Sequence, residues 1–191
     1  ADTERPFGLN MLEAHSDEER HMLINAFIAL LYKLYDPNHQ GIMGPLLERQ
    51  IRNVMLTAMV DPGSTMVDVM RLLIDEKYSK KFLDKVTDPM VKRFWTDEMA
   101  NTSQNRKGEV MGYIVSKFDR FITDKTMRNI LGQAKSSIDL TKIMAEKKIL
   151  LVDLAKGKIG EENSNFLGLL LVPRILTAAL ARHKLIVEGT D

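Results

Sequence analysis

Lys147 to Glu161 reads KKILLVDLAKGKIGE, and its first half decides the fold. Ile149 to Asp153 is an aliphatic run closed by a carboxylate. A continuous Ile/Leu/Val run suits a strand buried on both faces of a parallel sheet. Such a strand must hydrogen-bond its backbone to neighbouring strands. No clear partner strand occurs elsewhere in the 191 residues. The first expectation is therefore a piece of a larger α/β protein whose sheet lies mostly outside this chain. The N-terminus, ADTERPFGLN, begins with turn-forming residues and no Met, as a piece cut at a loop would. It carries no signal-peptide pattern.

Outward from that run, the spacing is helical. Ser16-Asp17-Glu18-Glu19 reads as a capping box, and Leu23, Ile24, Phe27, Leu30, Leu31 and Leu34 follow on one face. Asp36-Pro37-Asn38 stops that helix. Pro45 suits the first position of a second one, striped by Leu47, Ile51, Val54 and Met55. Thr65 with Asp68 starts a third. Tyr78 to Val86 is short and lysine-rich, and Asp88-Pro89 opens a helix with Val91, Phe94, Trp95 and Met99. Asn101 to Arg106 is polar and reads as loop. Helical spacing returns from Lys107 to Phe121, over Thr123 to Leu131, and over Leu140 to Ala145 behind an Asp139 cap. Past a loop at Gly157 to Gly160, a helix from about Asn163 carries a stripe of Val172, Ile175, Leu176 and Leu180, with Pro173 as a kink. Leu185 to Glu188 is an alternative short strand beside Ile149 to Asp153.

The expected fold class is thus mainly α. Residues 11–145 form a multi-helix bundle, and residues 146–191 a strand–loop–helix unit, half of a βαβ element. The length allows one domain with a core, or one plus a fragment of another. An apolar fraction of 45% and a charged fraction of 28% fit a globular protein. The net charge of +1 gives no global field toward nucleic acid or membrane. The absence of cysteine excludes disulfides, thiolate catalysis and thiolate metal sites, and it fits a reducing, cytoplasmic setting. No stretch reads as the ~18 apolar residues of a membrane span, so no membrane contact is expected. The Met residues read as flexible core filler.

Four patterns bear on chemistry. Ile149 to Asp153 has the form of a Walker B strand, whose terminal carboxylate holds Mg²⁺ beside a nucleotide. No glycine-rich lysine loop is present to cradle phosphates, so an Asp capping a strand end is the plainer reading. Lys156 and Lys158, among Gly157 and Gly160, sit after the strand, at the sheet edge where ligands bind. They are candidate phosphate or nucleic-acid contacts, against the simpler reading of a solvated turn. Lys80, Lys81 and Lys85, with Arg106 and Lys107 beyond, form a locally basic region containing Phe82, Phe94 and Trp95. The aromatics could stack on bases, but their helical spacing favours core packing, and interleaved acids weaken the field. Glu18 and His21 have the spacing of half a di-metal site without a second copy, so no metal is expected. No nucleophile constellation can be assembled.

The stretch MRNILGQAKSSIDLTKIMAEKKILLVDLAKGKIGEENSNFLGLLLVPRIL, from Met127 to Leu176, resembles the middle section of type IV secretion coupling proteins. These are conjugative DNA-transfer ATPases of the HerA/FtsK superfamily. ADTERPFGLNMLE resembles their segment after a strand ending in Phe-Asp-Pro. The similarity is most specific from Met127 to Gly168, and the position matching Asp153 is usually Asn. The resemblance implies an all-helical domain inserted into a RecA-like motor, between its lysine loop and its Walker B strand. It implies ATP and Mg²⁺ for the parent protein and none in this piece. It also implies a hexameric parent, at the inner face of the cell membrane, and DNA or relaxase-type protein as cargo. The other readings are a stand-alone helical protein–protein adaptor without a motor, and a nucleic-acid binder independent of one.

Overall fold

The computed structural model describes residues 5–102 and 104–187, apart from the side chains of 104–107, 120, 121 and 181–187. The described residues form ten α-helices and one π-helical turn, and no strand. Mainly α is therefore the observed class.

Helix α1 (Asp17–Tyr35) starts where Ser16 Oγ accepts from Glu19 N–H at 3.1 Å. Glu19 Oε2 reaches back to His15 N–H at 2.7 Å, one residue earlier than an ideal capping box requires. Leu23, Ile24, Phe27, Leu30 and Leu31 are buried on the inner face, as the spacing predicts. The helix ends at Asp36, itself buried. Its carboxylate accepts from the N–H groups of Gln40 (2.5 Å), Gly41 (3.2 Å) and Met43 (3.0 Å). Burial alone would raise the pKa of that carboxyl. The three N–H donors and nearby His39 outweigh burial and hold it below the usual 3.8.

Helix α2 (Pro45–Ala58) has its proline in the first turn. Helix α3 (Met66–Ile74) begins with the full reciprocal Thr65–Asp68 box. The lysine-rich segment is α4 (Glu76–Leu83), capped by Asp75 and anchored by buried Phe82. Helix α5 (Pro89–Arg93), capped by Asp88, runs into a π-helical turn, Phe94–Met99. Helix α6 (Gln104–Thr123) starts inside the expected 101–106 loop. Helices α7 (Lys125–Leu131) and α8 (Leu140–Ala145) follow, capped by Asp124 and Asp139. Each fully buried Leu, Ile or Phe contributes about 1.5–3 kcal/mol of burial free energy. The Phe27 and Phe118 rings, 5.4 Å apart, join α1 to α6 inside that core. Eight of the twelve Met residues are buried, in keeping with a filler role.

The C-terminal part departs from expectation. Ile149 to Asp153 is not a strand but irregular chain. Its Ile149 and Leu151 side chains are 89% and 88% exposed. The physical reason is the lack of a neighbouring strand to pair its backbone. The glycine–lysine loop is instead one helical turn, α9 (Lys156–Ile159), entered through Ala155 in the left-handed region (φ 37). Helix α10 (Glu161–Val187) starts two residues early and continues through Pro173. Leu185 to Val187 are its last turn, so the alternative strand there is overturned; Glu188 and Gly189 lie outside the described residues.

The stripe expected to face inward on α10 faces outward. Leu167, Leu170, Leu171 and Ala178 are buried with Ser164 and Thr177, whereas Val172, Ile175, Leu176 and Leu180 are exposed. Phe166, Leu167, Leu170 and Leu171 enter the same core as α1, so this helix closes the bundle. By length and composition alone, Glu161–Leu180 could cross a membrane (mean hydropathy 1.3), contrary to the sequence reading. A third of that window is buried in the protein.

Candidate functional site

The candidate cations fall on separate elements. Lys80, Lys81 and Lys85 lie on α4 or just past it, and α4 rests on α2 and α3. Lys156 and Lys158 lie on α9, which rests on α10. The backbones of Arg106 and Lys107 are in the first turn of α6, and their side chains lie outside the described residues.

Three of the five candidate cations with described side chains have acidic neighbours. Lys80 Nζ is 3.5 Å from Glu76, Lys85 Nζ 3.0 Å from Asp61, and Lys156 Nζ 3.1 Å from Glu161. Arg93 similarly faces Asp97 at 3.1 Å. All are exposed pairs, each worth at most about 1 kcal/mol, so a polyanion can compete for them. Lys81 and Lys158 are exposed, with no ion pair among the described residues.

The aromatics are not stacking platforms. Phe82 and Phe94 are buried. Trp95 packs against the core and donates its indole N–H to Thr57 Oγ1 at 2.8 Å. The Phe94 and Trp95 rings meet edge to face, with centroids 5.2 Å apart. The π-helical turn places both neighbours on the core side. Nothing in the residue types announces it, because they do not mark a single widened turn.

Asp153 closes a turn, not a strand. Its Oδ1 accepts from Ala155 N–H at 2.8 Å, leading the chain into α9. His21 is on the exposed flank of α1. Among the described residues, no three His, Asp or Glu side chains converge as a metal site.

Sequence reasoning missed a clasp between the N-terminal segment and the loop after α7. Gly8 N–H donates to Ser137 Oγ at 2.7 Å, and Ser137 N–H returns a bond to Gly8 O at 2.9 Å. Leu9 N–H donates to Ile130 O at 2.9 Å, and Asn10 N–H to Ser136 Oγ at 3.1 Å. The buried Asn10 amide bridges Ser64 O (3.0 Å) and Ala134 O (2.8 Å), while its Oδ1 accepts from Leu12 N–H at 2.9 Å. Arg174 locks the outside. Its guanidinium donates to Glu13 O at 3.0 Å and Ser136 Oγ at 3.3 Å. Burial lowers the pKa of that guanidinium, while Glu13 and Glu19 favour its charge. The only hints in the sequence are Gly8, Asn10 and the Ser136-Ser137 pair, none of which names its partner.

A cleft of about 230 Å³ lies beside the clasp, lined by His15, Glu19, Lys135, Asp139, Arg174 and Thr177 among others. Charges of both signs face it, and Arg174 is already engaged with the protein. No buried side-chain nitrogen or oxygen among the described residues lacks a partner.

No protein-family model, curated protein or solved structure matches this chain.

Proposed function

We propose that this chain is the helical recognition domain of a coupling-protein-like ATPase, an insert that hands DNA or relaxase-type protein cargo to a hexameric motor. The observation that carries this reading is the clasp. The chain enters the helical body at Gly8 to Asn10 and leaves its seventh helix at Ser136 and Ser137, beside the entry. An inserted domain needs that arrangement, because both of its flanks rejoin one host. The resemblance over Met127 to Gly168 points the same way.

In this reading residues 146–191 carry the link to a RecA-like motor, with α10 also closing the helical bundle, and ATP and Mg²⁺ belong to the rest of the parent protein. Lys80, Lys81 and Lys85 form one cargo face, and Lys156 and Lys158 a second. Each meets phosphates by exchanging its carboxylate neighbour or its counterions.

A second reading, a helical protein–protein adaptor without a motor, draws on the ion pairing itself. Lys80, Lys85 and Lys156 each sit beside a carboxylate, which lowers the field that DNA would meet. A gel-shift titration against salt separates the two. A DNA face gives affinity that falls steeply with salt and is lost when Lys80, Lys81 and Lys85 are reversed to Glu. A flat salt response, with no effect of the reversals, sinks DNA recognition and leaves the adaptor.

A further inference from the structure

The cleft of about 230 Å³ beside the clasp opens where three segments meet. His15 and Glu19 come from around the start of α1, Lys135 and Asp139 from the chain between α7 and α8, and Arg174 and Thr177 from α10. Thr177 is 8% exposed, and its hydroxyl makes no hydrogen bond among the described residues. A helical threonine can return that hydroxyl to the carbonyl four residues back, as buried Thr57 does to Asn53 O at 2.7 Å. Among the described residues, no side-chain oxygen sealed from solvent lacks a partner. The Thr177 hydroxyl is therefore open to the cleft that the residue lines.

Charge decides what fits. Arg174 and Glu13 answer each other, through Glu13 O at 3.0 Å and the Glu13 carboxylate at 3.8 Å. Lys135 is exposed, with no ion pair among the described residues. Glu19 spends one carboxylate oxygen on His15 N–H, and Asp139 one on Lys142 N–H. Their second oxygens have no bond among the described residues. The open charges are thus one ammonium and two carboxylates. A pure anion would meet Glu19 and Asp139, and a pure cation would meet Lys135. A ligand with one carboxylate and two cationic groups answers all three. The volume lies below the roughly 300–1,000 Å³ of drug-sized sites, which sets an amino-acid scale.

We propose that this cleft binds a free basic amino acid, of the L-lysine or L-arginine class. Its carboxylate takes Lys135 and the Thr177 hydroxyl, and its two cationic groups take Glu19 and Asp139. The walls belong to three separate segments, so a bound ligand fastens the clasp and stabilises the fold by mass action. The inference is independent of the motor reading: DNA binding can fail while the amino acid binds, and the reverse.

The test titrates this chain with L-lysine by calorimetry. One site is expected, with a Kd of about 1 mM or below, and the melting temperature should rise with ligand concentration. Cadaverine, which is lysine without its carboxylate, should bind about tenfold more weakly, and so should L-glutamate. Asp139→Asn keeps an oxygen for the α8 cap and should weaken L-lysine binding about tenfold. Thr177→Val keeps the side chain's shape and should weaken it about three- to tenfold. Urea unfolding of the two ligand-free variants close to that of the parent chain shows that the fold survives. No binding of L-lysine at about 10 mM overturns the proposal. Equal affinity for cadaverine or L-glutamate overturns the match to a basic amino acid. Undiminished L-lysine affinity in both variants places the ligand elsewhere and also overturns it.

Discussion

Gly8 and Ser137 bond to each other twice across 129 residues of sequence, once through the serine hydroxyl and once through its backbone N–H. Everything between them is the helical body from α1 to α7. Two short irregular segments, not two helices, therefore bring its ends together. Closing so long a loop is entropically costly, though the cost grows only slowly with length, and the Asn10 and Arg174 bonds share in offsetting it.

Gly8→Ala tests how tightly the segments are packed. The added Cβ would lie 2.6 Å from Lys135 O, a backbone atom that cannot rotate away. The expected cost is about 2–3 kcal/mol in urea unfolding. Gly157→Ala is the control, because its Cβ meets nothing within 4 Å; its effect should stay within about 0.5 kcal/mol or stabilise.

Asn10→Leu removes the amide that serves two carbonyls and the oxygen that serves Leu12 N–H, all inside the protein. Leaving those groups unsatisfied should cost about 2–4 kcal/mol, read from the same unfolding curves. A cost below that of an ordinary surface substitution would show that the amide network contributes little.

Tyr78 should set the alkaline limit of the α3–α4 junction. Burial first, then its hydrogen bond to Asp68, pushes its hydroxyl up to about 12 from 10.0. A folded pKa above the unfolded one favours the protonated fold. Its contribution is therefore complete below pH 10 and lost as the pH rises from 10 toward 12. Tyrosinate absorbance and helix content should change together in that window. Tyr78→Phe should remove this share of the pH dependence.

Much of the bundle was legible because helix caps and stripes are local. Ser16, Thr65, Asp88 and Asp139 each cap a helix with a side chain within three residues of its target. The candidate cations were legible as residues but not as a site, since their carboxylate neighbours Asp61 and Glu161 depend on tertiary placement or turn geometry. The run at Ile149 was read correctly as apolar, and incorrectly as a strand. Strand formation needs a second chain segment that this sequence does not obviously offer. The α10 stripe failed for a related reason: both faces of that helix are apolar, and periodicity cannot say which one the body takes. Leu167 and Leu171 won, beside Arg174 on its clasp.

Ala155→Gly should stabilise the protein. Ala155 holds φ 37 at the start of α9, where a Cβ costs about 1 kcal/mol and glycine is unstrained. The entropy that glycine adds to the unfolded chain offsets part of this, so a gain of about 0.5–1 kcal/mol is expected. A loss on unfolding would show that the left-handed turn is not populated.

The most direct test of the closed insert is hydrogen exchange at the amides of Leu9 and Ser137. Leu9 N–H is bonded to Ile130 O and Ser137 N–H to Gly8 O. If the ends of the body are fastened, both amides exchange only with global unfolding, as slowly as those of buried residues such as Ile51 and Phe118. Exchange of either amide near the free-chain rate, with the helical core still protected, would contradict the clasp and remove the structural support for an inserted domain.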